Sequence, residues 1–374
     1  MSIMSKIEDP VGQLLTECSL PTSEPTPALA QTLLALASVL FRRAAQHAPA
    51  DDDGLVQEIG EALVRHDTVQ DPAACFRLWT PSIAETSRHI ERGDHAAALR
   101  QIAAMLAEAG LTGDFTTRPL AIDRLWRDGT FHAFDSAGQA THIGADRRWF
   151  ELPGMRDKFV LPTREVILGK ADVEIVWPAP VDHGVPNEVI EQAHESMAEA
   201  VRWIAEISPE HLTWVDRLVC GFAITEMPDD SDLSSGSYRS RPGVVHISFP
   251  LEPVMVAETL IHEASHQYFL LLNGVVPMVR PGTTAEVFSP IKGCNRPVDR
   301  CTLAHHACFN IWDFMRRGVA SRYGDEARKS MELMARFTDA LGRNIQTSDC
   351  LTDAGSGFVG SLQSIFVEAG AARA

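Results

Sequence analysis

The chain has 374 residues, a little under half of them apolar, enough to bury one large core and a second smaller one. Its 33 basic and 50 acidic residues give a formal charge of −17, which argues against a polyanionic partner because nucleic-acid binding needs a cationic surface. No export signal is visible near Met1, and the most apolar run, residues 28–41, falls short of the roughly 20 residues of a membrane span. The seven cysteines lack paired Cys-x-x-Cys knuckles, so reduced thiols in a cytoplasmic protein without membrane contact are expected.

Residues 26–46, 55–66, 81–93 and 95–110 carry Ala/Leu-rich helical spacing and predict a helical N-terminal region over residues 1–114. Residues 49–54, with three consecutive aspartates, read as a polar loop. Residues 115–374 read as a second, mixed α/β and then helical region that carries the chemistry. Within it Thr130–Phe134 and residues 165–168 are strand candidates, and Asn187–Ile207 is a helix with Glu188 and Glu191 near its start. Strands are expected at residues 218–225 and 243–249, with a Ser-, Asp-, Gly- and Arg-rich loop at 229–243 between them. A helix over 252–273, stopped by Gly274, follows, and then helices over 300–323, 325–341 and 357–368.

The helix 252–273 contains His262-Glu263-Ala264-Ser265-His266. Residues four apart stack one turn above another, so His262 and His266 can offer imidazole nitrogens to one divalent metal while Glu263 projects beside it. In a zinc peptidase that glutamate is the general base on a metal-bound water. Glu258, one turn earlier, is a candidate supporting carboxylate. The metzincin extension is absent, since Phe269 and Leu272 stand where it needs Gly and His. Two histidines need a third donor. His305 is the first choice, on the stripe Cys301, Ala304, His305, Cys308, Ile311 and Met315 that reads as inward-facing; His306, on a side that reads as wetter, and Glu286, in an expected loop, are alternatives. The strand before the helix, with Val245 and His246, and the Ser237 loop preceding it, are candidate substrate contacts, because an edge strand can pair with an extended peptide. The expected fold is α+β and mostly helical: a zincin-like HExxH helix beside a small sheet, with a helical N-terminal region.

Several stretches taken together resemble a known family. They are Ser235-Gly236-Ser237, Pro242-Gly243-Val244-Val245-His246-Ile247-Ser248, Ala257-Glu258-Thr259-Leu260-Ile261-His262-Glu263-Ala264-Ser265-His266, Phe288-Ser289-Pro290, Arg296-Pro297, His305 and Leu351-Thr352-Asp353-Ala354-Gly355. The chain resembles the HExxH-type peptide-modification proteins of ribosomal natural-product clusters, which are 2-oxoglutarate-dependent peptide β-hydroxylases; the resemblance spans roughly residues 235–366. It implies Fe(II) and 2-oxoglutarate as cofactors, a ribosomal precursor peptide as partner, and hydroxylation of a side-chain β-carbon. Three protein donors would leave three positions on an octahedral Fe(II), two for the keto acid and one for dioxygen. The distal carboxylate of 2-oxoglutarate then calls for a fixed cation, with Arg296 first and Arg241 or Arg280 as alternatives. In this reading Glu263 need not be a base: it orients a ligand or hydrogen-bonds near the metal. A zinc-dependent peptidase of zincin type, with Zn(II) as cofactor, is the alternative that the five-residue motif alone supports equally.

Overall fold

A computed structural model describes residues 10–22, 27–65, 72–111, 124–127, 130–134, 140–142, 148–150, 158–162, 187–226, 235–239 and 241–371. The described chain is mostly helical with small sheets, as expected. It forms two compact units, each drawn from separate stretches and neither bounded at residue 114. One takes its described residues from Pro25–Ala198 and Asp216–Leu251, the other from Asp9–Glu24, Glu199–Val215 and Glu252–Ala374. The seven cysteines form no disulfide.

Helix α1 (Pro10–Ser19) belongs to the second unit. The first unit opens with α2 (Pro27–Ala45), α3 (Asp53–Arg65), α4 (Pro72–Phe76), α5 (Pro81–Glu91) and α6 (His95–Glu108). Among the described residues α2 is the one helix long and apolar enough to cross a membrane, yet 56% of that stretch is buried. It packs against α3, α4, α5 and α6 through residues such as Leu33, Leu34 and Ala37, which makes it a core helix. Asp94 caps α6 by accepting the Ala97 N–H at 3.1 Å.

Strands β1 (Arg124–Arg127), β2 (Thr130–Phe134) and β3 (Ala140–His142) form an antiparallel meander. A five-stranded sheet contains β4 (Arg148–Phe150), β5 (Lys158–Pro162), β6 (Gly221–Glu226), β7 (Ser235–Ser237) and β8 (Val244–Phe249), in the order β4-β5-β6-β8-β7. Its β5–β6 and β6–β8 pairs are parallel and its two outer pairs antiparallel. All six residues of β8 are buried, which suits a strand whose Val244, Val245, Ile247 and Phe249 are interrupted only by His246 and Ser248. Residues 165–168 lie outside the described residues.

The chain returns from β7 to β8 through Gly243, at φ 78°. A Cβ there would stand 2.5 Å from the Trp79 carbonyl oxygen and 2.6 Å from Cys220 Sγ, so both the conformation and the space demand glycine. Gly243→Ala is expected to destabilise the protein by about 2–3 kcal/mol, read as a lower denaturant midpoint. An unchanged midpoint would remove this account of the turn.

Helix α7 (Asn187–Ile207) has the bounds expected from the sequence, and α8 (Pro209–Leu218) follows it directly. The second unit then contains α9 (Pro253–Val275), β9 (Glu286–Ser289), β10 (Cys294–Pro297), α10 (Val298–Gly318), α11 (Gly324–Gln346) and α12 (Asp353–Ala371). Gly274 lies inside the last turn of α9 and does not stop it; the backbone becomes extended at Val276. Helix α10 packs against α9, α11 and α12, while α1 covers α9 and α12. The Trp214 indole stacks flat on Tyr268 at 4.2 Å, and the Tyr268 hydroxyl donates to the Trp214 carbonyl at 2.9 Å, pinning α8 to α9.

A second polar tie lies nearby. His211 Nδ1 is 2.8 Å from Ser208 Oγ and its Nε2 is 3.8 Å from Asp313 Oδ2, while Asp313 pairs with Arg317 at 2.9 Å. Burial pushes the His211 ring to about 4 against the pull of Asp313. Ser208 and His211 are fully buried, so this serine–histidine–aspartate set joins α8 to α10 and offers no face to a substrate.

Candidate functional site

Helix α9 is apolar on most of its circumference and is buried accordingly. Its one accessible stripe among the described residues runs through Met255, Glu258, His262, His266, Leu270 and Asn273, at helical spacings of three and four. Both motif histidines therefore stand on the face that a solute can reach. The His262 side chain is 37% exposed, and the two rings meet at 4.3 Å between centroids, inclined by 70°. Glu263 turns inward: its side chain is 1% exposed, with Oε1 3.9 Å from His262 Nε2.

The His266 ring is held well below the ordinary histidine range, chiefly by burial and then by the charges of His262, His306 and Arg300. It is therefore neutral near pH 7, the form that binds a metal, and its Nδ1 is shut from solvent without a hydrogen bond. Glu258 is committed elsewhere, accepting the Ser330 hydroxyl of α11 at 2.6 Å.

The expected third donor does not join the pair. Among the described residues no three His, Cys, Asp or Glu side chains converge on one point. His305 is fully buried, but its Nε2 faces α11, 3.0 Å from where a Cβ at Gly342 would stand, beside Gln363 of α12. Burial pushes that ring to about 4, and Gln363 offsets the push only in part. His306, expected on a wetter side, is equally buried, and both its nitrogens face carbonyl oxygens, Ser265 at 3.1 Å and Ser19 at 3.2 Å. Glu286 is an exposed residue of β9, a strand where a loop was expected, and its charge reaches Cys301. The reason is common to both histidines: α10 is enclosed by helices, so an inward direction does not specify which neighbour a side chain meets. His262 and His266 stand as neighbours on one face of α9, 4.3 Å between ring centroids, and the three-donor set anticipated with His305 is not assembled by the described residues.

Arg296 is half-buried on β10, opposite Val287, and its charge acts on the Cys301 thiol, which burial raises. The arginine whose charge reaches His266 is Arg300, in the first turn of α10, which the sequence reading did not single out. Its position three residues after Arg296-Pro297, at the start of a helix, was the available signal.

The expected substrate strand also needs correction. β8 pairs with β6 on one side and β7 on the other, so it is not an edge; Val245 and His246 are fully buried. Arg241 Nη1 lies 3.0 Å from His246 Nε2, and Tyr238 meets the His246 ring edge-on at 5.1 Å. Burial and the Arg241 charge keep His246 neutral, so it accepts the guanidinium N–H and holds the strand interior together. Ser237, opposite Val245, is half-buried on β7 at the edge of the sheet and is the one of the three that an extended chain could reach.

No protein-family model matches this chain, and no curated protein matches it.

Proposed function

We propose that this protein is a divalent-metal enzyme acting on peptides, with His262 and His266 as donors to the ion. In its finer form it is a zincin-like Fe(II)/2-oxoglutarate-dependent oxygenase that hydroxylates a side-chain β-carbon in a ribosomally made precursor peptide in the cytoplasm. The observation that carries this reading is the pair of imidazoles one helical turn apart, 4.3 Å between centroids, on the single accessible stripe of a buried helix. His266 Nδ1 is shut from solvent without a hydrogen bond, a cost that an idle ring would carry without return. The residues quoted above for the family supply the choice of chemistry.

With Fe(II) bound, 2-oxoglutarate and dioxygen would yield succinate and carbon dioxide and place one oxygen atom on the substrate carbon. His262 and His266 fix the position of that chemistry on α9. Glu263 lies buried beside His262, its Oε1 3.9 Å from Nε2, where it orients that ring. Rigidity comes from below: the Trp214–Tyr268 stack and the packing of α1 and α10 leave α9 no room to turn.

A zinc-dependent peptidase is the second reading, and Glu263 favours it. Its carboxylate lies next to the first motif histidine, Oε1 3.9 Å from His262 Nε2, and the peptidase reading requires it to turn from its buried position to reach a metal-bound water. Anaerobic loading with Fe(II), then addition of 2-oxoglutarate, oxygen and a peptide library, separates the two. Succinate with a one-oxygen mass gain on a peptide supports hydroxylation, whereas cleavage with Zn(II) supports hydrolysis; neither product with either metal would end both. Glu263→Gln is expected to leave hydroxylation within about ten-fold of the parent but to reduce hydrolysis by about a hundred-fold or more. Complete loss of hydroxylation in Glu263→Gln with metal still bound would contradict the role given to Glu263.

A further inference from the structure

The β9–β10 hairpin carries features that the histidine pair does not use. Among the described residues β10 has β9 on one side and no strand on the other. Asn344 Nδ2 of α11 donates to the Phe288 carbonyl at 2.8 Å, which marks Phe288 and its cross-strand partner Asn295 as the pair whose backbone groups point away from the ladder. On β10 the Asn295 N–H and C=O therefore face outward, as an added strand requires. Cys294, Asn295 and Pro297 are exposed, and Phe288 presents an apolar ring that is 49% exposed.

The local charge runs against that of the chain. Residues 264–300 hold four basic residues, Arg280, Lys292, Arg296 and Arg300, and two acidic ones, Glu286 and Asp299, in a protein of net charge −17. Lys292, Arg296 and Arg300 make no ion pair among the described residues, as is true of Arg280 and of Arg328, Lys329 and Arg336 on α11, but the first three are grouped on and beside β10. Cations left unpaired in an acidic molecule suit an anionic partner. The hairpin also leads to the histidines: β10 runs directly into α10, whose first-turn Arg300 lies close enough for its charge to act on His266.

We propose that the outer edge of β10 docks an extended acidic peptide. Asn295 pairs with its backbone, Lys292, Arg296 and Arg300 meet its carboxylates, and Phe288 takes an apolar side chain. The docking needs no metal; its role in bringing peptide to His262 and His266 rests on the function proposed above. Nucleic acid shares the negative charge but lacks the amide edge that Asn295 would pair with.

Fluorescence anisotropy of the full-length, metal-free protein tests this with a labelled peptide of alternating glutamate and threonine around a central leucine. Saturable binding is expected, weakened about ten-fold by added salt or by the double variant Lys292→Glu/Arg296→Glu, and similarly by Arg300→Glu. The same peptide N-methylated at alternate residues, and its lysine counterpart, should not bind; Asn295→Pro should mimic the N-methyl result, with circular dichroism confirming the fold. Unchanged affinity in the charge variants, equal binding of the lysine or N-methylated peptide, or equal competition by an RNA oligonucleotide would overturn the proposal. If docking behaves as expected while the metal-loaded enzyme neither hydroxylates nor cleaves, the docking surface stands and the proposed function falls. If turnover occurs and the charge variants leave KM for the acidic peptide unchanged, the reverse holds.

Discussion

Replacing His266 with alanine is expected to lower affinity for Fe(II) or Zn(II) by at least about a hundred-fold and to abolish turnover, and His262→Ala should do the same. The size follows from the donor count. Removing a group that merely supports a ligand costs about 10–100-fold in affinity, so losing one of two direct donors costs no less. No proton has to be displaced from His266 at neutral pH, because burial already disfavours its imidazolium form. The full coordination energy of that nitrogen is thus forfeited in the variant. His262→Ala is the cleaner experiment, since the side chain is 37% exposed and its removal leaves little void. Metal content after dialysis, with a thermal melt as control, reads the effect. Retention of stoichiometric metal in both variants, with the fold intact, would place the ion elsewhere and remove the basis of the enzymatic reading.

How much of this was legible beforehand varies with the physics that sets each feature. Helix α7 and strand β2 appear with the bounds expected because local signals, an acidic first turn at Glu188 and a β-rich run, decide them. The accessible pair on α9 follows from a spacing of four, which any helix honours. The short β7 carries only Ser-Gly-Ser and exists because β8 offers it a ladder, so no local propensity could reveal it. The same holds for β9 and β10, which pair across a Pro-Ile-Lys-Gly turn that reads as loop. Helix α8 was hidden because its end adjoins the strand run that begins near Leu218, and the apolar residues of both merge in sequence.

The third donor failed for a different reason. Periodicity assigns a residue to a face of its own helix, but α10 has helices on several sides, and adjacent residues answer to different ones. His305 meets α11 and α12 through Gly342 and Gln363, whereas His306 meets α1 and α9 through two backbone carbonyls. Gly342 makes the first arrangement feasible, since a Cβ there would collide with the Gln363 side chain. A glycine near the C-terminal end of α11, opposite a histidine, is visible in sequence only once the pairing of α10 with α11 is known.

His306→Ala is expected to destabilise the fold by about 3–5 kcal/mol while leaving metal affinity near that of the parent. The ring fills a fully buried space, 5.2 Å from Phe358 and 6.1 Å from Trp214 between centroids, so its removal leaves a cavity. It also removes the single N–H of the neutral ring, which one of the Ser265 and Ser19 carbonyls accepts, and with it a polar tie from α10 to a neighbouring helix. The link has a pH signature. Burial moves His306 from its ordinary 6.5 to about 4, against the opposing pull of the Ser19 and Ser265 carbonyls, so the folded ring stays neutral where the unfolded one is charged. The unfolded state then binds the extra proton, and stability present above about 6.5 drains away as the pH falls towards 4, by about 2 kcal/mol at pH 5 from this ring alone. Urea unfolding at a series of pH values should therefore show a shallower acid slope in His306→Ala than in the parent. Equal slopes would show that the ring is not held neutral by the fold, and loss of metal without loss of stability would make His306 a ligand, with α9 and α10 joined through the ion and not through Ser265.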